Sequence, residues 1–169
     1  RITLLIAKQL TAFERSGAEN PLPLDNLDQN IVVGDALFDA WPEFDVCIGN
    51  PPYIGRRQLA GARGATYVAK VDANFPEVGG LTDYVVYWIR LAHERLPEGG
   101  RAGLVCTNSI AQSSSRRYGL DYIIDTGATI TDAVSSMPWS GEAAVTVAIV
   151  NWTKGPDTRE PVLWADGDT

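Results

Sequence analysis

Histidine and cysteine are scarce in this 169-residue chain, which has one of the first and two of the second. A zinc site built on the single histidine, His93, is therefore not expected. Cys47 and Cys106 each sit inside an apolar run, which suits buried, reduced thiols of a cytoplasmic protein better than a disulfide framework. No apolar stretch approaches the roughly eighteen residues that a membrane-crossing helix needs, and nothing at the start resembles a signal peptide. The Gly-x-Gly-x-x-Gly turn of dinucleotide-dependent oxidoreductases follows none of the candidate strands. Basic residues are outnumbered, 14 Lys and Arg against 21 Asp and Glu, for a net charge of −7. Such a balance argues against this chain gripping a nucleic-acid backbone unaided.

With 45% apolar residues the chain has enough material for one globular domain with a real core. Apolar residues at helical spacing, Ile2, Leu5, Ile6, Leu10 and Phe13, predict an amphipathic helix over roughly residues 2 to 15. Ile31 to Asp35 and Phe44 to Gly49 read as short buried strands, separated by a helical turn over Ala36 to Trp41. After Tyr53 about twenty-five residues with little periodicity predict a mobile loop. Thr82-Asp83 reads as the cap of a helix reaching Leu96. Ala102 to Cys106 is a third buried strand, followed by a helix over Ser115 to Ile124. Ile130 to Val134 and Val145 to Trp152 are two further strands, and Leu163-Trp164 a short edge strand. This alternation predicts an α/β fold with a mostly parallel sheet and an antiparallel pair near the C-terminus. In such sheets ligands bind beyond the carboxyl ends of the strands. Asp35, Asn50 and Asn108 are placed at such ends.

The most informative junction is Asn50-Pro51-Pro52-Tyr53, directly after the Phe44 to Gly49 run. Two prolines fix two φ angles and remove two backbone donors, so the chain leaves the sheet stiffly. A carboxamide oxygen, a proline carbonyl and an aromatic face within four residues suit a planar group with an exocyclic amino group. The bland reading is a proline turn with a surface tyrosine.

This tetrapeptide resembles the catalytic motif of class I S-adenosylmethionine-dependent amino-methyltransferases that modify N6 of adenine in DNA. Val32-Val33-Gly34-Asp35-Ala36-Leu37 resembles the family's preceding strand motif. The resemblance implies cofactor binding by Asp35 and Ala36, with Asp35 accepting from the adenine amino group of S-adenosylmethionine. A helix N-cap is the other reading of Asp35, and both can hold together. Met137 to Val147 is similar to the segment in which an aromatic residue precedes an antiparallel strand. The resemblance implies that Asn50, Pro51, Pro52 and Tyr53 are catalytic and that Tyr53 and Trp139 stack on the target base; Trp139 also reads as a plug between loop and core. With Leu81-Thr82-Asp83-Tyr84 and Thr107-Asn108-Ser109-Ile110, the order of segments is most like the methyltransferase part of single-chain type II (IIG/IIL) restriction-modification enzymes.

That resemblance implies a Rossmann-like methyltransferase sheet, S-adenosylmethionine as cofactor, and double-stranded DNA with a flipped adenine as partner. The basic residues Arg56, Arg57, Arg63, Lys70, Arg116 and Arg117 are either a local DNA contact or ordinary solvated charges. The family's glycine-rich cofactor loop and acidic ribose ligand find no counterpart, and the chain begins at Arg1. It therefore reads as a partial domain, 1–169, cut from a longer chain whose other domains carry target recognition, and is expected to be inactive in isolation. Other amino-methyltransferases sharing the tetrapeptide, acting on release-factor glutamine or ribosomal RNA, are the nearest rivals. A non-catalytic scaffold is the rival of a different class.

Overall fold

The computed structural model describes residues 31–139 and 145–165. The chain forms two compact units, Arg1–Asp39 and Ala40–Thr169. The expected helix over residues 2 to 15 lies outside the described residues.

In the first unit, Ile31 to Asp35 is not a strand: it is irregular, and Val32 and Val33 are 79% and 96% exposed. An apolar β-branched run forms a strand only where a neighbour satisfies its backbone, and none pairs with it among the described residues. The turn expected after it is present. The amides of Phe38 and Asp39 both donate to the Asp35 carbonyl at 2.9 Å.

The second unit is built on one five-stranded sheet. Its strands are β1 (Val46–Gly49), β2 (Arg101–Thr107), β3 (Ala128–Pro138), β4 (Thr146–Lys154) and β5 (Val162–Trp164), in spatial order β1-β2-β4-β3-β5. β1 pairs parallel with β2 and β3 parallel with β5, while β4 runs antiparallel between β2 and β3. Four strands thus point one way and one the other, the mostly parallel sheet with an antiparallel strand that the α/β pattern predicted. The carboxyl ends of β1, β2 and β3 consequently share one rim. Register shifts in β3, between Ile130 and Asp132 and between Val134 and Met137, bend that strand as bulges do.

β2 alternates buried and less buried residues, with Ala102, Leu104 and Cys106 facing the core. β1 does not fit the expectation of a buried strand. It holds four residues at the sheet edge, and Val46 and Ile48 are 61% and 79% exposed. An edge strand has one pairing partner, and among the described residues nothing covers the face these side chains present.

Residues 54 to 80, expected as a mobile loop, instead hold two helices, α1 (Arg56–Arg63) and α2 (Ala65–Asn74). Alanines supply the helix propensity, and each helix buries a single apolar residue, Leu59 and Val71, which is why no stripe shows in the sequence. Arg56 Nη2 donates to both carboxylate oxygens of Asp72, each at 2.7 Å, joining the two.

α3 (Val85–Arg95) is buried along nearly its whole length and carries Val85, Val86, Tyr87, Ile89 and Ala92 into the core. Its C-terminal carbonyls are met by Lys154, whose Nζ donates to the carbonyls of Glu94 and Leu96 at 3.2 and 2.8 Å. After β2 a 3₁₀ turn (Asn108–Ala111) leads into a continuous helical rod over residues 113–125, α4. This rod is α-helical at Ser113–Arg116, widens to a π turn at Arg117–Asp121, and is α-helical again at Tyr122–Asp125. Gly119 occupies the wide turn, where a Cβ would lie 3.1 Å from Ile110 Cδ1, so its missing side chain lets α4 approach the core. Among the described residues no helix is long and apolar enough to cross a membrane.

Candidate active site

The Asn-Pro-Pro-Tyr segment leaves the carboxyl end of β1. Gly49, the last strand residue, would carry a Cβ 3.3 Å from Leu104 Cδ2, so the approach of β1 to the β2 side chains depends on its being glycine. Asn50 and Pro52 are exposed, Pro51 is buried and Tyr53 is half-buried. The pleat ends here because neither proline offers an amide for pairing.

Asn50 and Tyr53 are brought together. The Tyr53 hydroxyl donates to Asn50 Oδ1 in a short hydrogen bond. That bond holds the carboxamide against the ring, with the second lone pair of Oδ1 left to accept from another group. Burial pushes the Tyr53 phenol above its ordinary value, the neighbouring Cys106 adds to the effect, and the bond to Asn50 opposes it. The phenol therefore stays protonated near neutral pH and serves as a donor.

A cavity of about 230 Å³ opens beside this segment, with Asn50, Pro51 and Pro52 on one side and Trp41, Ile48 and Trp88 among its apolar walls. Tyr53 is not one of its lining residues. Both thiols are poor nucleophiles. Burial raises Cys47 above the usual thiol value and pushes Cys106 up to about 12. No group of three His, Cys, Asp or Glu side chains able to hold a metal ion occurs among the described residues.

In its own unit, Asp35 caps the turn that follows it. Its Oδ1 accepts from the Leu37 amide at 3.1 Å, so this carboxylate caps a turn and not the helix that a cap reading expects. Ala36 is half-buried within that turn. Asp35 does not close a strand, in contrast to the expectation, whereas Asn50 and Asn108 do follow β1 and β2.

Trp139 stands just beyond β3, at 36% exposure, and its amide donates to the Val145 carbonyl at 2.9 Å across the β3–β4 hairpin. It shares the rim with Asn50. Three strand spacings separate β1 from β3, about 14 Å along the rim.

Of the basic residues singled out by sequence, Arg56 and Arg116 are drawn into ion pairs with Asp72 and Asp121 at 2.7 and 3.2 Å. The Arg63 guanidinium lies 5.4 Å from the Tyr67 ring centroid, and Arg57 is exposed.

One cluster was misread from the sequence. Thr82 and Asp83 provide no side-chain cap to α3. The Asp83 carboxylate instead accepts from Thr107 Oγ1 at 3.1 Å and from the Ser109 hydroxyl. The sequence signal is that Thr82-Asp83-Tyr84 and Thr107-Asn108-Ser109 both belong to one ordered pattern of segments; that they bind each other is not legible in it.

The profile of the family described as MmeI, DNA-methyltransferase domain, matches residues 1–164. Among curated proteins none matches the chain. Of solved structures, the type IIL restriction-modification enzyme MmeI in complex with DNA is similar at a TM-score of 0.70 and 22% identity, over 95% of this chain and 23% of that one. A protein of Listeria monocytogenes assigned to the class I S-adenosylmethionine-dependent methyltransferases is similar at 0.55 and 16% identity, over 78% of this chain and 39% of that one. The chain thus spans well under half the length of either protein. The profile match runs nearly end to end, and the chain, with its Asn-Pro-Pro-Tyr at a strand end, belongs to the MmeI DNA-methyltransferase domain family.

Proposed function

We propose that the whole protein containing these residues transfers a methyl group from S-adenosylmethionine to the N6 amino group of adenine in double-stranded DNA, as the modification activity of a restriction-modification system. The observation that carries this reading is the hydrogen bond from Tyr53 to Asn50 Oδ1 at the carboxyl end of β1, within a chain of this family. Because the chain covers 23% of MmeI, the activity is assigned to the complete protein rather than to these residues alone.

In this mechanism the target adenine is flipped out of the duplex and its amino group is received by two acceptors, Asn50 Oδ1 and the Pro51 carbonyl. A carboxamide oxygen has two lone pairs, so Asn50 can accept from the base while Tyr53 holds its orientation. These bonds draw the nitrogen towards tetrahedral geometry and localise its lone pair. Tyr53 and Trp139 offer stacking faces for the base from two points of the same rim. Positioning does most of the work, and no strong base is needed, because the amino proton becomes acidic only once the nitrogen is alkylated.

S-adenosylmethionine, when bound, supplies an electrophilic methyl group. Asp35 and Ala36 are the residues we assign to its adenine end. The Asp35 carboxylate fits an exocyclic amino group because its oxygens are acceptors and one of them is already oriented by the Leu37 amide.

The test is a methylation assay with the complete protein on duplex DNA and on release factor, read by mass spectrometry of nucleosides and peptides. N6-methyladenine in DNA is the expected product. Methylated glutamine with unmodified DNA would transfer the assignment to the rival class, and no methylation of either substrate would favour a scaffold.

DNA contact also has a local basis in an acidic chain. α1 contains three arginines and no acid, and Arg57 and Arg63 lie in its exposed positions. Replacing both by glutamine should lower the slope of log binding constant against log salt by about 2, since each phosphate contact contributes about 0.9. Parallel slopes for variant and wild type would mean that α1 carries solvated charge only.

A further inference from the structure

We propose that Asp83 is a positioning residue that fixes the Asn50–Tyr53 segment against the end of β2. The proposal rests on the methyltransferase reading and adds to it a residue outside the Asn-Pro-Pro-Tyr motif.

The argument begins at the first turn of α3. Helix starts leave amides without intrahelical partners, and an Asp just ahead of a helix ordinarily turns its carboxylate back to satisfy one. Asp83 does not. Its Oδ2 receives Thr107 Oγ1 at 3.1 Å and the Ser109 hydroxyl, two groups that are themselves 2.7 Å apart at the carboxyl end of β2. Its own amide donates to Ser115 Oγ at 3.1 Å, and Ser115 is buried in α4. Asp83 is thereby tied on one side to the β2 rim and on the other to α4.

The amide that a capping Asp83 could have served belongs to the start of α3, and Tyr84 puts its own amide to another use. Tyr84 N–H donates to the carbonyl of Ile54 at 3.0 Å, and Ile54 directly follows Tyr53. Tyr84 cannot shift to follow a loose loop, because its side chain is 1% exposed and its hydroxyl meets that of Tyr67 on α2 at 2.5 Å. The Tyr53 backbone is therefore held one residue away by the N–H of the peptide that joins Asp83 to Tyr84, anchored on one side by the Asp83 carboxylate and on the other by the buried Tyr84 ring. One side-chain oxygen with two lone pairs can accept both hydroxyls at once, as Asp83 Oδ2 does here. The network aligns the two rim segments, Asn50–Tyr53 and Thr107–Ser109, that face the same rim.

The experiment uses the full-length protein with Asp83→Ala, Asp83→Asn and the double variant Thr107→Val/Ser109→Ala. Two readouts are taken: steady-state methylation of a duplex carrying the target site, and hydrogen exchange of the Tyr84 amide. For Asp83→Ala and for the double variant, kcat is expected to fall about 10- to 100-fold, the scale of a small misplacement of reacting groups, with KM for DNA and cofactor affinity changed less than about twofold. Tyr84 amide protection should fall at least about tenfold in both. Asp83→Asn keeps an acceptor oxygen and should recover kcat to within about threefold of wild type together with amide protection. Unchanged kcat in the double variant, or equal damage from Asn and Ala at position 83 in a folded protein, overturns the proposal. Should the wild type fail to methylate DNA, the functional reading falls, and the exchange measurement alone still decides whether Asp83 holds the loop.

Discussion

Replacing Asn50 with alanine in the full-length protein is expected to lower methyl transfer to DNA by roughly 10³-fold, the upper end of what one preorganised hydrogen-bonding group at a reacting centre contributes. Cofactor binding should be unchanged. The substitution is informative because Asn50 is exposed and its side chain's hydrogen-bond partner among the described residues is the Tyr53 hydroxyl, which water can satisfy once the amide is gone. Loss of activity would then report on chemistry rather than on unfolding, and thermal unfolding should differ from wild type by no more than about 0.5 kcal/mol, as for surface substitutions generally. Equilibrium binding of S-adenosylmethionine and single-turnover methylation separate the two effects. Single-turnover rates within tenfold of wild type would remove Asn50 from the reacting centre and with it the mechanism built on the strand end.

The parts of this fold that could be read from sequence are those where side-chain periodicity and burial coincide. β2 and β4 are legible because their apolar runs are buried, β2 on one face through Ala102, Leu104 and Cys106 and β4 on both through Val147, Ala148, Val150 and Trp152. The runs at Ile31–Val33 and Val46–Ile48 carry the same composition, yet the first forms no strand and the second an exposed edge. Composition gives a strand's preference. Which faces are covered depends on distant elements, and that is not written in the run itself.

A similar division applies to the candidate site. The nearness of Asn50 and Tyr53 is legible because they stand three residues apart with two prolines between them, whereas the hydrogen bond that joins them is not. Asp83 was read as a cap because its actual partners, Thr107 and Ser109, lie 24 and 26 residues further along. α1 and α2 were read as loop because one buried side chain per helix makes no stripe. Trp139 was placed correctly before an antiparallel strand, and its station on the shared rim follows from β4 being inserted between β2 and β3. Local geometry carried the motif, and topology assembled the rim around it.

Arg90 offers the largest expected effect on stability, and the structure decides which of its interactions matters. The side chain is 4% exposed and reaches from α3 between two partners. It forms a close ion pair with Glu77, and its guanidinium carbon stands 3.4 Å from the Tyr122 ring centroid on α4. The Glu77 side chain is 49% exposed, so water screens the ion pair and its contribution is at most about 1 kcal/mol. The stacked face is out of water, where a cation–π contact reaches about 2 kcal/mol, and the buried stem adds packing. Arg90→Ala should therefore cost about 3 kcal/mol by opening a gap between α3 and α4, while Arg90→Met, which refills it, should cost about half of that. Glu77→Gln should cost less than about 1 kcal/mol, because the amide oxygen still accepts from Arg90 Nη2, and the Tyr122 ring and the Tyr118 carbonyl, 3.4 Å from Nη1, stay against the guanidinium. Hydrogen exchange of the α3 amides in the full-length protein measures all three on one scale. The ordering is the test: if Glu77→Gln proved as damaging as Arg90→Ala, the ion pair rather than the stacked and buried side chain would be what joins α3 to α4.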